Sequence, residues 1–122
     1  MDALPGLVLI VDDAALFRDV ARELLERRGY EVVGEAGTAA AAIEMAERLA
    51  PDAALVDIRL PDGDGFALAA ALVDARPGLA VLLTSADRVP PDAAGVRASG
   101  ARGFLLKSRL AAADLAQFWP PR

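Results

Sequence analysis

Two kinds of apolar stretch alternate along the chain. Leu7-Val8-Leu9-Ile10-Val11, Ala53-Ala54-Leu55-Val56, Leu79-Ala80-Val81-Leu82-Leu83 and Phe104-Leu105-Leu106 are short and carry no polar alternation. A strand of that kind is buried on both faces, as in a parallel sheet. Val32-Val33 predicts a further, weaker strand, with Gly34 counting against it. Between these runs the spacing is helical. Leu16, Val20 and Leu24 share one face, flanked by Phe17 and Leu25, and predict a helix over 13–28 that Gly29 closes. Thr38 can cap a helix over 39–49, which Pro51 stops. Pro61-Asp62-Gly63-Asp64-Gly65 is a turn signal, followed by a helix over 66–75 that Pro77-Gly78 ends. After a Val89-Pro90-Pro91 loop, Asp92 can cap a short helix reaching about Ser99, although Gly95 is a poor helix former. A last helix is expected over 108–118, stopped by Pro120-Pro121.

Strands alternating with helices at this spacing imply right-handed crossovers, hence an α/β fold with helices on both faces of a parallel sheet. Ligands of such sheets bind outside the carboxyl ends of the strands. The 122 residues fit one domain, 1–122, and an apolar content of 55% suffices for one core. No apolar run approaches the roughly 20 residues of a membrane-spanning helix. The N-terminus has an acid at position 2 and no basic leader, unlike a secretory signal. There is no cysteine, which removes disulfides and thiolate chemistry, and no histidine, which removes serine triads and histidine-ligated zinc. The net charge of −5 disfavours direct nucleic-acid binding.

The remaining chemistry sits at the strand ends. The first strand ends in Asp12-Asp13, the third in Asp57, the fourth in Thr84 and the fifth in Lys107. If the strand order is 2-1-3-4-5, the three acids converge in one crevice, with Thr84 and Lys107 entering from the other side. Clustered carboxylates repel strongly in a poorly solvated cleft. A hard cation relieves this, and oxygen donors without His or Cys select Mg²⁺ or a similar ion. A carboxylate can also act as a nucleophile toward phosphorus, with an ammonium and a hydroxyl to hold the phosphoryl oxygens. Each piece alone has a plainer reading. Asp12-Asp13 reads equally as a turn with an N-cap, Asp57 as a turn starter, and Thr84-Ser85 as a strand-end hydroxyl pair. The Pro61–Gly65 stretch lacks the Glu that a calcium loop needs and reads as a turn and helix cap. Lys107 resists such a reading: it is the one lysine among 13 basic residues. A lone lysine suggests a site wanting a compact ammonium on a flexible stem rather than a planar fork, the plainer alternative being a drifted surface lysine.

The combination LVLIVDD, DIRLPDGDGF, VLLTS and GARGFLLKS resembles the receiver domains of two-component response regulators over essentially the whole chain. The resemblance implies a flavodoxin-like, doubly wound, five-stranded parallel sheet of order 2-1-3-4-5, an order taken from the family. It implies that Asp57 is the phosphoacceptor and that Asp12, Asp13, Asp57 and the backbone carbonyl of Arg59 hold Mg²⁺. Thr84 and Lys107 would bind the phosphoryl group, and Thr84 with Phe104 would form the switch pair. The donor would be a phosphohistidine on a sensor histidine kinase or histidine phosphotransfer protein, and the location cytoplasmic. Ser108 after the lysine looks like receivers of the LuxR/NarL helix-turn-helix class, here without the DNA-binding domain. The implied role is a signalling switch, not an enzyme: it assists its own phosphorylation and dephosphorylation, and its output is a partner protein or self-dimer. No direct nucleic-acid or membrane contact is expected. Arg59 and Ala86 stand where the family tunes phosphoryl lifetime, and the short fourth helix departs from the family pattern. Phe118 and Trp119 read as core packing or as a partner anchor. The alternatives are a constitutive interaction module, whose mark would be loss of an acid, Thr84 or Lys107, and a Mg²⁺-dependent phosphohydrolase. The latter usually carries D-x-D at its first strand end, where this chain has adjacent aspartates.

Overall fold

A computed structural model describes residues 6–87 and 90–119. Residues 1–5, Val89 of the proline loop and the Pro120-Pro121 stop lie outside the described residues. Five strands form one sheet: β1 (Leu7–Val11), β2 (Glu31–Ala36), β3 (Ala53–Asp57), β4 (Ala80–Ser85) and β5 (Gly103–Leu106). All neighbours are parallel, in the order β2-β1-β3-β4-β5, so the expected order holds. A two-residue antiparallel pairing of Arg59–Leu60 with Gly63–Asp64 forms the turn after β3.

The unbroken apolar runs have a direct cause in the packing. Val8, Ile10, Leu55 and Leu82 point to one side of the sheet, where they meet Ala21, Leu25, Leu110, Leu115 and Trp119. Leu9, Val11, Val56, Val81 and Leu83 point to the other, against Ala42, Ala46, Leu68, Leu72 and Val96. Each central strand thus serves two cores at period two. Helix α1 (Ala15–Arg27) and the C-terminal segment cover the first side, and α2 (Ala39–Leu49), α3 (Gly65–Ala75) and α4 (Ala93–Ala98) the second.

Strand β2 is longer than Val32-Val33. Its register slips between Val8 and Leu9, which pair with Val32 and Gly34 and leave Val33 as the extra residue. Gly34 fits the strand because Leu49 and Leu9 press on it: a Cβ there would meet Leu49 Cδ1 at 2.9 Å. Helix α1 starts at Ala15 without a side-chain cap. Asp12 instead forms a turn before it, accepting the Ala14 N–H at 2.9 Å. Of the stripe Leu16, Val20, Leu24 only Leu24 packs against the core; Leu16 is 82% and Val20 60% exposed. The buried stripe is Ala21 and Leu25 with Phe17 beside them. Both stripes have the same i, i+4 spacing. The one carrying small Ala21 lets the helix approach the sheet more closely.

The expected C-terminal α-helix is replaced by two 3₁₀ turns, Lys107–Ala112 and Leu115–Gln117, with extended backbone at Ala113. In a continuous helix the Ala111 and Ala113 carbonyls would accept the N–H groups of residues 115 and 117. Here the Arg28 guanidinium donates to both. Asp114 then restarts the chain by accepting the Ala116 N–H at 3.3 Å. Trp119 is buried, edge-on to Tyr30 with ring centroids 5.4 Å apart. Core packing is therefore its role, and Phe118 packs over Gly103.

Candidate phosphoacceptor pocket

The parallel sheet brings the chemical residues to one edge because every strand ends on the same side. Asp12 follows β1, Asp57 is the last residue of β3, Thr84 lies beside it in β4, and Lys107 follows β5. Asp57 and Thr84 are register partners. One carboxylate oxygen each from Asp12, Asp13 and Asp57 lies within 4.8 Å of the others. Asp12 and Asp57 are buried, whereas Asp13 is exposed at the mouth.

Lys107 reaches into this cluster from the far side. Its Nζ lies 2.6 Å from Asp12 Oδ2 and donates to Asp57 Oδ2 at 3.1 Å. The ammonium also sits 4.3 Å above the Phe17 ring, a favourable cation–π position. Burial works to lower the Lys107 pKa, but Asp12 and then Asp57 outweigh it, and the net shift is upward. Burial likewise pushes the Asp57 carboxyl up, reinforced by the charge of Asp12. The Arg59 N–H and Lys107 oppose this without cancelling it. Three carboxylates faced by one ammonium leave an excess of negative charge.

Two buried polar atoms of the pocket have unmet capacity. Thr84 Oγ1 is buried without a partner beside Asp57. Asp12 Oδ2 accepts no hydrogen bond of proper geometry, although Lys107 Nζ is close. An all-oxygen donor set with spare lone pairs at a negative cleft suits a hard divalent ion such as Mg²⁺.

The surrounding loops are fastened largely by contacts the sequence did not reveal. The Arg59 N–H donates to Asp57 Oδ1 at 3.0 Å, while its guanidinium pairs with Asp87 Oδ2 at 2.6 Å. Arg18 Nη1 donates to the Asp12 carbonyl at 2.6 Å, and its Nε pairs with Glu35 at 3.1 Å. Asp64 of the Pro61–Gly65 turn caps α3 as expected, accepting the Ala67 N–H at 2.8 Å, whereas Asp62 reaches across to α2 and accepts the Ala39 and Ala40 N–H groups at 2.8 and 3.0 Å. Gly65 is required by close approach: a Cβ there would lie 2.7 Å from Ile58 Cα and nearer still to the Asp57 carbonyl oxygen. This glycine and the Asp64 cap had a visible signal, in the Pro61–Gly65 turn. The others are ion pairs and caps between distant segments, which no local pattern encodes.

Phe104 is half-buried, in register with Leu83 next to Thr84. With Val96, Arg97, Pro90, Pro91 and Gly103 it lines a groove of about 310 Å³ between α4 and β5. The structure thus brings Asp12, Asp13, Asp57, Thr84 and Lys107 together, with Arg59 and Phe104 flanking them.

The family model for the response regulator receiver domain matches residues 8–117. This chain belongs to that family.

The receiver is 41% identical over 83 residues to the transcriptional regulatory protein PdtaR of Mycobacterium tuberculosis, covering 68% of this chain and 40% of that protein. It is 32% identical over 100 residues to the chemotaxis protein CheY of Thermotoga maritima, covering 82% of this chain and 83% of CheY. The solved signal receiver domain of the response regulator NarL from Mycobacterium tuberculosis superposes with a TM-score of 0.79 at 39% identity, covering 89% of each chain. A LuxR-family two-component response regulator from Aurantimonas sp. SI85-9A1 gives 0.83 at 29% identity, covering 93% of this chain and 81% of that one. The chain spans 40–48% of the length of PdtaR and the other regulators first matched. Receivers are modules of two-component signalling, and this one keeps the acidic pocket that fits phosphorylation and Mg²⁺ binding. No helix among the described residues is long and apolar enough to cross a membrane.

Proposed function

We propose that this receiver is a phosphorylation-dependent switch in which Asp57 accepts a phosphoryl group from a phosphohistidine on a sensor kinase or phosphotransfer protein. The observation that carries the reading is Lys107 Nζ between Asp12 and Asp57, at the edge of an acidic cluster with Thr84 Oγ1 unpartnered beside it. A carboxylate oxygen of Asp57 forms the new O–P bond as the P–N bond of the donor breaks. The electron pair of that bond stays on the imidazole nitrogen. Phosphoryl transfer demands positioning and charge neutralisation more than covalent help. Lys107 supplies a fixed cation for the phosphoryl oxygens, and Thr84 a hydroxyl donor. Asp12, Asp13, Asp57 and the Arg59 backbone carbonyl would hold Mg²⁺. When bound, that ion neutralises the acids and the transferring group.

The transferred group adds about −1.5 to −2 charge beside Thr84. Drawing the Thr84 hydroxyl inward leaves room next to Phe104, which can turn toward it. The groove between α4 and β5 then changes shape, and this altered surface engages an output protein or a second receiver. In this reading residues 1–122 act as one cytoplasmic signalling unit without turnover of an outside substrate.

Incubation with acetyl phosphate and Mg²⁺, read by intact mass, tests the reading. One added phosphoryl mass, absent in Asp57→Asn, is the expected result. No uptake from small-molecule donors or from phosphohistidine proteins would refute it in favour of a constitutive module.

A further inference from the structure

Asp12 and Asp13 are neighbours held in place by different means. Asp12 is fastened at every polar group. Its N–H donates to the Ala36 carbonyl at 2.9 Å, its Oδ1 accepts the Ala14 N–H at 2.9 Å, and its carbonyl accepts Arg18 Nη1 at 2.6 Å. The Asp13 side chain is exposed and has no hydrogen bond or ion pair among the described residues. One of its carboxylate oxygens nevertheless lies within 4.8 Å of those of Asp12 and Asp57. With no partner of its own, that side chain is aimed by its backbone. The Asp12 carbonyl belongs to the planar peptide unit that joins the two acids. Whatever holds this carbonyl therefore sets the direction in which Asp13 leaves the chain.

Arg18 holds it from one turn inside α1. Helical side chains lean toward the helix N-terminus, which carries the guanidinium back over the turn. A second strand braces the same guanidinium: its Nε pairs with Glu35 Oε1 at 3.1 Å, with side chains only 23% and 24% exposed. Glu35 lies on β2, next to the Ala36 whose carbonyl takes the Asp12 N–H. The planar fork joins both contacts rigidly, which a flexible ammonium would not do. Arg22 offers an internal comparison. Its Nε pairs with the other oxygen of Glu35 at 2.7 Å, but its second contact is the Val32 carbonyl at 3.4 Å.

We propose that Arg18, braced by Glu35, is a positioning residue for the cation site: by fixing the Asp12–Asp13 peptide unit it keeps the Asp13 carboxylate aimed at Asp12 and Asp57. This inference rests on the reading of these acids as Mg²⁺ ligands. Charge alone gives the opposite expectation. Arg18 is a cation beside an acidic cluster, and its removal would draw a divalent ion in more tightly. The sign of the effect thus separates positioning from simple electrostatics.

The dissociation constant of Mn²⁺, a paramagnetic substitute for Mg²⁺, is measured from the EPR signal of the free ion, with Mg²⁺ as competitor, for the parent, Arg18→Met and Arg22→Met. Arg18→Met is expected to raise the constant about tenfold, the scale of losing a partner behind a metal ligand. Arg22→Met breaks an equivalent pair with the same carboxylate. It should lower the melting temperature as much as Arg18→Met does, yet change the constant by less than about twofold. The difference between the parent and Arg18→Met should persist at about 1 M salt, where the Debye length is roughly 3 Å, because a fixed peptide plane is not screened. Tighter or unchanged binding in Arg18→Met, an equal loss in Arg22→Met, or a difference that vanishes in high salt would overturn the proposal. Binding by the parent is scored first: a parent that takes up neither ion defeats the reading of the acids as a cation site, a result distinct from any ratio between variants. Each substitution removes one pair at the surface, so folding is retained, and circular dichroism melts register that directly.

Discussion

Lys107 shows how much one side chain carries in this fold. Among the described residues it is the only counter-charge held directly by both Asp12 and Asp57, at 2.6 and 3.1 Å. Replacing it by methionine keeps the stem on Phe17 but leaves two largely buried carboxylates facing each other. Removing one partner of a buried pair costs about 3–5 kcal/mol, and the partial exposure here reduces that to about 2 kcal/mol. Urea unfolding of Lys107→Met in chelator should show the loss, and millimolar Mg²⁺ should recover part of it. Glu35 works on the acid side. The hydrogen bond from Arg22, assisted by Arg18, holds its carboxyl below the ordinary value against the opposing effect of burial. A depressed acid contributes stability that is present above its unfolded pKa and lost as pH falls through the folded one. Thermal melts from pH 6 to pH 3 should therefore fall more steeply for the parent than for Glu35→Gln, with a difference of about 1 kcal/mol.

At the level of elements, the C-terminal segment is the least regular part and the most informative about packing. Phe118 covers the strand β5 because Gly103 has no side chain. Gly103→Ala would drive a methyl group into that ring, and overpacking of this sort costs about 1–3 kcal/mol. Phe118→Ala should suppress the defect: the double variant, followed by chemical denaturation, is expected to be no less stable than Phe118→Ala alone. A double variant as unstable as the sum of both would show that the glycine serves backbone geometry instead. This segment was also where the sequence misled. The pattern Ala111-Ala112-Ala113 favours helix, yet Arg28, more than 80 positions away, takes the carbonyls a helix would need. Local propensity contains no record of such a partner. The strands were legible for the opposite reason: burial on both faces writes itself into consecutive residues. On α1 the pattern was ambiguous in a definite way, since Leu16-Val20-Leu24 and Phe17-Ala21-Leu25 have identical spacing. The larger residues suggested a stripe of which only Leu24 meets the core.

For the molecule as a whole, the pocket was readable because topology does the assembling. Asp12, Asp57, Thr84 and Lys107 are scattered through the chain, but parallel strands put their carboxyl ends on one edge, so a list of strand termini is a list of pocket residues. What topology does not encode is fastening, which is why the contacts of Arg18, the Arg59–Asp87 ion pair and the reach of Asp62 to α2 emerged only from the structure. The same excess of negative charge predicts that divalent ions stabilise the fold. An ion that binds the folded state at ten times its Kd adds about 1.4 kcal/mol, worth about 3–6 °C in Tm for a chain of this size. Differential scanning calorimetry with Mg²⁺ should show such a rise, and Asp13→Asn should remove most of it. An unchanged Tm in the parent would argue against a built cation site.

The solitary lysine has a practical corollary. Reductive methylation with ¹³C-formaldehyde keeps the amine cationic and, besides the chain's α-amino terminus, can label nothing but Lys107. The result is a single side-chain resonance lodged between two acids and an aromatic ring. Its chemical shift would report ion loading and acyl-phosphate formation in one spectrum, free of the overlap that lysine-rich proteins impose.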